Sequence, residues 1–128
     1  MDKEITINCI HMNLDEFRDL KDGWIEGEGV APSLDGLDWL AATFDRHFPD
    51  DLPLPYLYPT PKGGVQAEWS LSANEISLEV DLVTRQGAWH RLDMNTNADD
   101  ARKLNLDDVK GWTWVVAEIR KMAEGAMV

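Results

Sequence analysis

The chain has 128 residues, 44% of them hydrophobic, and sets 24 acidic against 12 basic side chains for a formal net charge of -12. That length suits one domain with one core, so a single α+β domain over residues 1–128 is expected. So acidic an average surface repels phosphate and anionic lipid heads, which argues against nucleic acid and membrane surfaces as partners and favours a basic protein surface or a cation. Cys9 is the only cysteine, so no internal disulfide can form. No stretch approaches the roughly 18 apolar residues of a membrane helix, and no apolar run follows the opening Met-Asp-Lys-Glu. A cytoplasmic setting is the expectation.

Glu4 to Ile10 alternates Ile5, Ile7 and Cys9 with Thr6 and Asn8, the period of a half-buried strand. Asn13 with Glu16 three residues on predicts a capped short helix, Leu14, Phe17 and Leu20 on one side and Gly23 as its stop. Trp24 to Pro32, with Gly27 and Gly29, has no period and reads as a loop. Ser33 then caps a second helix whose stripe Leu34, Leu37, Ala41, Phe44 and Phe48 runs to Pro49. Trp39 falls off that stripe and is a candidate contact aromatic. Asp50 to Pro55 is a proline-rich connector, and Tyr56 to Thr60 is expected at a sheet edge, because proline cannot donate to a central ladder.

Three strands follow. Val65, Ala67, Trp69 and Leu71 share one face, as do Ile76, Leu78, Val80 and Leu82, and then His90, Leu92 and Met94. A two-residue turn at Ala73-Asn74 pairs Glu68 with Glu79 and Trp69 with Leu78. A three-residue turn at Arg85-Gln86-Gly87 pairs Asp81 with Arg91 and Glu79 with Asp93, and leaves Trp89 on the outer face as a second candidate aromatic. Asn95 to Asn105 is polar, rich in Asn and Asp, and reads as a loop or a frayed turn. Asn105 or Asp107 caps a last helix with the stripe Val109, Trp112, Val116, Ile119 and Ala123, which Gly125 ends. Trp114 leaves this stripe and is the third candidate aromatic.

This register places Glu68, Glu79 and Asp93 in a row across the outer sheet face, beside Asp81 and Arg91. Like charges opposite one another across strands are unfavourable by up to about 1 kcal/mol, so something must offset them. Solvent screening with Arg91 bridging is one physical account. A site for an oxygen-liking cation and a docking face for a basic partner are the functional ones. His11, His47 and His90 show no ligand spacing, and His90 is expected on the apolar face. Pro61-Lys62-Gly63-Gly64 lacks the strand-to-helix setting of a phosphate loop and reads as a turn.

The stretch Tyr56 to Trp69 resembles a segment of the form Tyr-Pro-Thr-Pro-x-Gly-Gly-x-x-x-Glu-Trp found in small bacterial proteins without an assigned function. That resemblance implies a bacterial, cytoplasmic setting and transfers no catalytic residue. The fold expected is an antiparallel β-meander with helices packed on one face. The function expected is a non-catalytic acidic interaction module needing no cofactor, antitoxin-, immunity- or inhibitor-like in its more specific form. The alternative is a small-molecule or divalent-metal-dependent enzyme built on Glu68, Glu79 and Asp93.

Overall fold

The computed structural model describes residue 10 and residues 13–126. The expected strand over Glu4 to Ile10, with Cys9, lies outside the described residues except for Ile10, which is buried. His11 lies outside them too.

Residues 13–17 are helical and bury Leu14 and Phe17. Arg18 then ties this segment down by pairing with Asp15 and with Asp38. Helix α1 spans Leu34–His47, with Ser33 in extended conformation accepting a hydrogen bond from the Gly36 amide at 3.1 Å. Such a cap is worth about 1 kcal/mol. A sheet follows in the order β1 (Tyr56–Pro59), β2 (Val65–Leu71), β3 (Asn74–Val80), β4 (Gln86–Asp93) and β5 (Asp99–Asn105), every pair antiparallel. Helix α2, Val109–Ala126, closes the chain. Asp108 precedes it and accepts from the Lys110 amide at 3.0 Å, the capping role expected of Asn105 or Asp107. The helix runs through Gly125 rather than ending there. This is the expected α+β meander with helices on one sheet face.

The core lies between that face and the two helices. Val65, Ala67, Trp69, Ile76, Leu78, Val80, Trp89 and Leu104 point into it from the strands. Leu37, Leu40 and Phe44 come from α1, and Trp112, Val115, Ile119 and Met122 from α2. The leading residues of both expected stripes, Leu34 and Val109, stay 56% exposed, and Leu40 and Val115 are buried instead. Phe44 stacks on Phe48 and meets Trp112 edge-on, while the Trp112 indole N–H donates to the Leu106 carbonyl at 2.8 Å. An interior void of ≈ 20 Å³ is lined only by apolar residues and is too apolar to hold water.

The registers differ from those expected. The β2–β3 turn is Ser72-Ala73, with Ser72 at φ 57, so Glu68 faces Ser77 and Glu79 faces Gln66. This is a slip of two residues, which leaves every side chain on the same face. Between β3 and β4 the slip is odd. Leu78 faces Trp89 and Val80 faces Gly87, so Trp89 is buried at 2% exposure while His90 and Leu92 turn to the outer face. The reason lies in a longer loop. The Asp81 carboxylate accepts from the amides of Val83 and Thr84, the Asp81 carbonyl accepts from Arg85 at φ 62, and the Gln86 amide donates to the Thr84 hydroxyl.

The β4–β5 loop repeats this scheme. Asp93 accepts from Asn95 and Thr96, its carbonyl accepts from Asn97 at φ 60, and the Ala98 amide donates to the Thr96 hydroxyl. Thus Asp81-Leu82-Val83-Thr84-Arg85-Gln86 and Asp93-Met94-Asn95-Thr96-Asn97-Ala98 are two copies of one Asp-x-x-Thr turn. The stretch expected as a polar loop, Asn95 to Asn105, contains β5. Only Leu104 and no other residue of that strand is buried, so its own sequence lacks the alternation that marks a covered strand.

Two helical glycines permit close approach. A Cβ on Gly36 would stand 2.5 Å from the Leu82 Cβ, and one on Gly111 2.2 Å from the Asn105 carbonyl oxygen. At an open helix position, Gly→Ala is stabilising by up to about 1 kcal/mol. Here the sign should reverse, with Gly36→Ala and Gly111→Ala each lowering stability by about 1–3 kcal/mol in urea unfolding. A stabilised Gly36→Ala variant would show that α1 does not rest on the Asp81 loop.

Candidate functional site

Among the described residues, no helix lies over the sheet's second face. Read across the strands, one row of its side chains is Tyr56, Glu68, Ser77, His90 and Ala101, and the next is Tyr58, Gln66, Glu79, Ala88 and Lys103. A third is Ser70, Glu75, Leu92 and Asp99. Tyr56 is 73% and Tyr58 46% exposed. The tyrosines face outward because Leu57, between them, belongs to the covered side, next to Ala67. A shallow depression of ≈ 290 Å³ is lined by Tyr58, Pro61, Lys62, Gln66, Glu68 and Glu79 among others. A second, of ≈ 190 Å³, lies between Glu68, Glu75, His90 and Leu92.

The expected carboxylate row does not form. Glu68 and Glu79 share the outer face on adjacent strands but in different rows, and Gln66 donates to Glu68 at 2.7 Å. Asp93 stands opposite Asn74 and spends its carboxylate on the β4–β5 turn. Asp81 does the same in the β3–β4 turn, and it is not beside Arg91. Arg91 lies on the helix-side face at the sheet's margin, where it holds Asp100 at 2.7 Å and donates to Asn74. The offset that the like charges seemed to demand is therefore unnecessary, because neutral Ser77, Gln66 and Ala88 separate them.

The three candidate aromatics are already occupied. Trp89 is a core residue, packed edge-on against Trp114 with centroids 5.1 Å apart. Trp114 is half-buried, and the Arg102 guanidinium lies over its ring, 4.6 Å from the centroid. Trp39 is likewise half-buried, with Arg85 over it at 5.1 Å. Such cation–π contacts are worth about 0.5–1 kcal/mol at exposed sites. His90 is exposed beside Asp99, Nε2 to Oδ2 3.4 Å, rather than on the apolar face. The glycine turn is closed to anions: the Gly63 and Gly64 amides donate to the Thr60 carbonyl and hydroxyl at 3.0 and 2.9 Å.

Among the described residues, no three of His, Cys, Asp and Glu converge closely enough to hold a metal ion. No described helix is long and apolar enough to cross a membrane. No protein-family model, curated protein or solved structure matches the chain. The surface that the fold defines is therefore an open, acidic sheet face edged by tyrosines. Tyr56, Tyr58, Glu75 and Lys103 were not marked as site residues by the sequence, since their facing depends on pairing and not on their own pattern.

Two outcomes follow from this geometry. Millimolar calcium or magnesium should leave the melting temperature unchanged, because dispersed carboxylates give the folded state no site by which mass action could stabilise it. A rise that is lost in Glu68→Gln/Glu79→Gln would place a cation site here after all. The second outcome concerns acid. The amides of Thr84 and Val83 hold the Asp81 carboxyl below its ordinary value of 3.8. A depressed pKa adds stability that is fully present above the unfolded value and is lost as pH falls through the folded one. Stability should therefore fall as pH drops below about 4, and Asp81→Asn, which keeps the acceptor oxygen without the titration, should flatten that limb in chemical unfolding measured between pH 5 and 2.5.

Proposed function

We propose that the protein is a non-catalytic interaction module whose open sheet face receives a basic protein surface. The observation that supports this most directly is the composition of the face. Glu68, Glu75, Glu79 and Asp99 stand against Lys103 and His90, with exposed Tyr56 and Tyr58 at one margin. Tyrosine gives contact area at low entropic cost, and carboxylates complement a cationic partner and speed its encounter. The charge of -12 adds long-range attraction of the same sign. It disfavours nucleic acid as the occupant. An antitoxin-, immunity- or inhibitor-like role, in which the face masks a basic functional surface, is the more specific form. The enzyme alternative rested on the three-carboxylate row, and the observed register separates those residues.

The test is capture from an extract of the source organism with wild type, Glu68→Lys/Glu79→Lys, and Glu28→Lys as a control in the exposed loop far along the chain. A basic protein retained by wild type and the control but lost by the double variant, with binding weakened by salt when the purified pair is mixed, is the expected result. Retention by all three would place the contact elsewhere on the molecule.

A further inference from the structure

We propose that β5 is a self-complementary edge through which two copies of this chain join into one continuous sheet. Its backbone groups have a defined direction. Asp93 donates to the Ala98 carbonyl and Leu106 to that of Arg85, both on the β4–β5 ladder. Antiparallel bonding alternates along a strand, so residues 98, 100, 102, 104 and 106 turn their N–H and C=O groups toward β4. Asp99, Ala101 and Lys103 turn theirs to the free edge, where no described residue pairs with them.

The side chains of Asp99-Asp100-Ala101-Arg102-Lys103 read acid, acid, neutral, base, base. Antiparallel pairing of two copies about a two-fold axis at Ala101 sets Asp99 opposite Lys103 and Asp100 opposite Arg102, each twice. Ala101 meets Ala101 with nothing bulky between them. In this register the free groups of Ala101 face those of Ala101, and those of Asp99 face those of Lys103, so each pair can exchange two hydrogen bonds. Sliding by two residues is the smallest step that keeps those groups facing. It puts Arg102 against Arg102 or Asp100 against Asp100, and like charges directly opposite are unfavourable. One register is therefore favoured on both counts.

The other edge lacks these properties. Strand β1 is four residues long and ends in Pro59, a common way of blunting an edge. Strand β5 has seven residues and no proline. Lys103 forms no ion pair with any described residue, and Asp99 has only the long contact to His90, so both are available to a second copy. Charges on an edge commonly guard it against pairing. A guard works through like charge, whereas this order cancels when the strand meets itself. The resulting ten strands would set the two outer faces side by side, with all described helices on the opposite side, so the dimer takes up only Asp99 and Lys103 at the margin of the proposed docking face and leaves Glu68, Glu75, Glu79 and the two tyrosines open.

The test is sedimentation of the full chain with three variants. Wild type should be a dimer at up to about 0.1 mM, where a micromolar Kd populates it. Ala101→Pro removes an N–H directed outward and leaves the β4 ladder intact, so it should be monomeric with an unchanged circular-dichroism spectrum. Asp99→Lys should weaken Kd by about tenfold or more, and Asp99→Lys/Lys103→Asp, which reverses the order of signs, should restore it. If Ala101→Pro unfolds, the two charge variants decide the matter alone. A wild type monomeric throughout would mean that the edge is guarded or covered within one chain. A dimer indifferent to Asp99→Lys, or not restored by the double exchange, would place the interface elsewhere. Either result overturns the proposal.

Discussion

A meander of five strands has one apolar face, and the molecule depends on covering it. Two helices do so, and they meet the sheet at Trp112. Its ring touches Phe44 edge-on and stacks near His47 of α1, its indole N–H holds the carbonyl of Leu106 just beyond β5, and its body lines the same interior as Trp69, Leu78 and Val80. One side chain thus ties both helices to the sheet. An indole buried with its N–H satisfied contributes large apolar area without leaving an orphaned donor, whose cost would be about 1–3 kcal/mol. Gly36 and Gly111 let the helix ends approach as closely as that burial requires.

The two Asp-x-x-Thr turns govern the other decision, which face of β4 is covered. Each carboxylate holds two amides of its own loop, and each loop ends in a left-handed residue, Arg85 or Asn97. Because a strand's side chains alternate, one residue more or less in the loop reverses every residue after it. The observed loop turns Trp89 inward against Trp114 and leaves Leu92 half-buried outside. Burying the larger indole is the better exchange, since the gain follows apolar area.

With the helices committed to one side, the surface divides by chemistry. The outer face presents tyrosines and carboxylates with little to enclose a small substrate, and its depressions are shallow. Two of the tryptophans that stood out as candidate contacts are each covered by an arginine, Arg85 over Trp39 and Arg102 over Trp114. The open surfaces of the molecule are extended, a sheet face and a sheet edge, and such surfaces suit macromolecular contacts better than enclosed chemistry.

The sequence by itself determined the elements whose causes are local. Ser33 and the run to Pro49 marked α1, the spacing around Trp112 marked α2, prolines marked β1 as an edge, and alternation marked β2 and β3 together with their covered face. The carboxylate row was not legible, because a slip of two residues between β2 and β3 preserves alternation completely, and only the position of the turn, Ser72-Ala73 instead of Ala73-Asn74, separates Glu68 from Glu79. For β4 the alternation read from the sequence put His90 and Leu92 on the covered face, and a loop stabilised by Asp81 reversed it. Strand β5 left no signal at all, since an edge strand with one buried side chain takes its stability from the backbone of β4. Alternation records which face a residue takes. Which residue it meets across the strand is a property of the turn and the packing, and it exists only in the folded molecule.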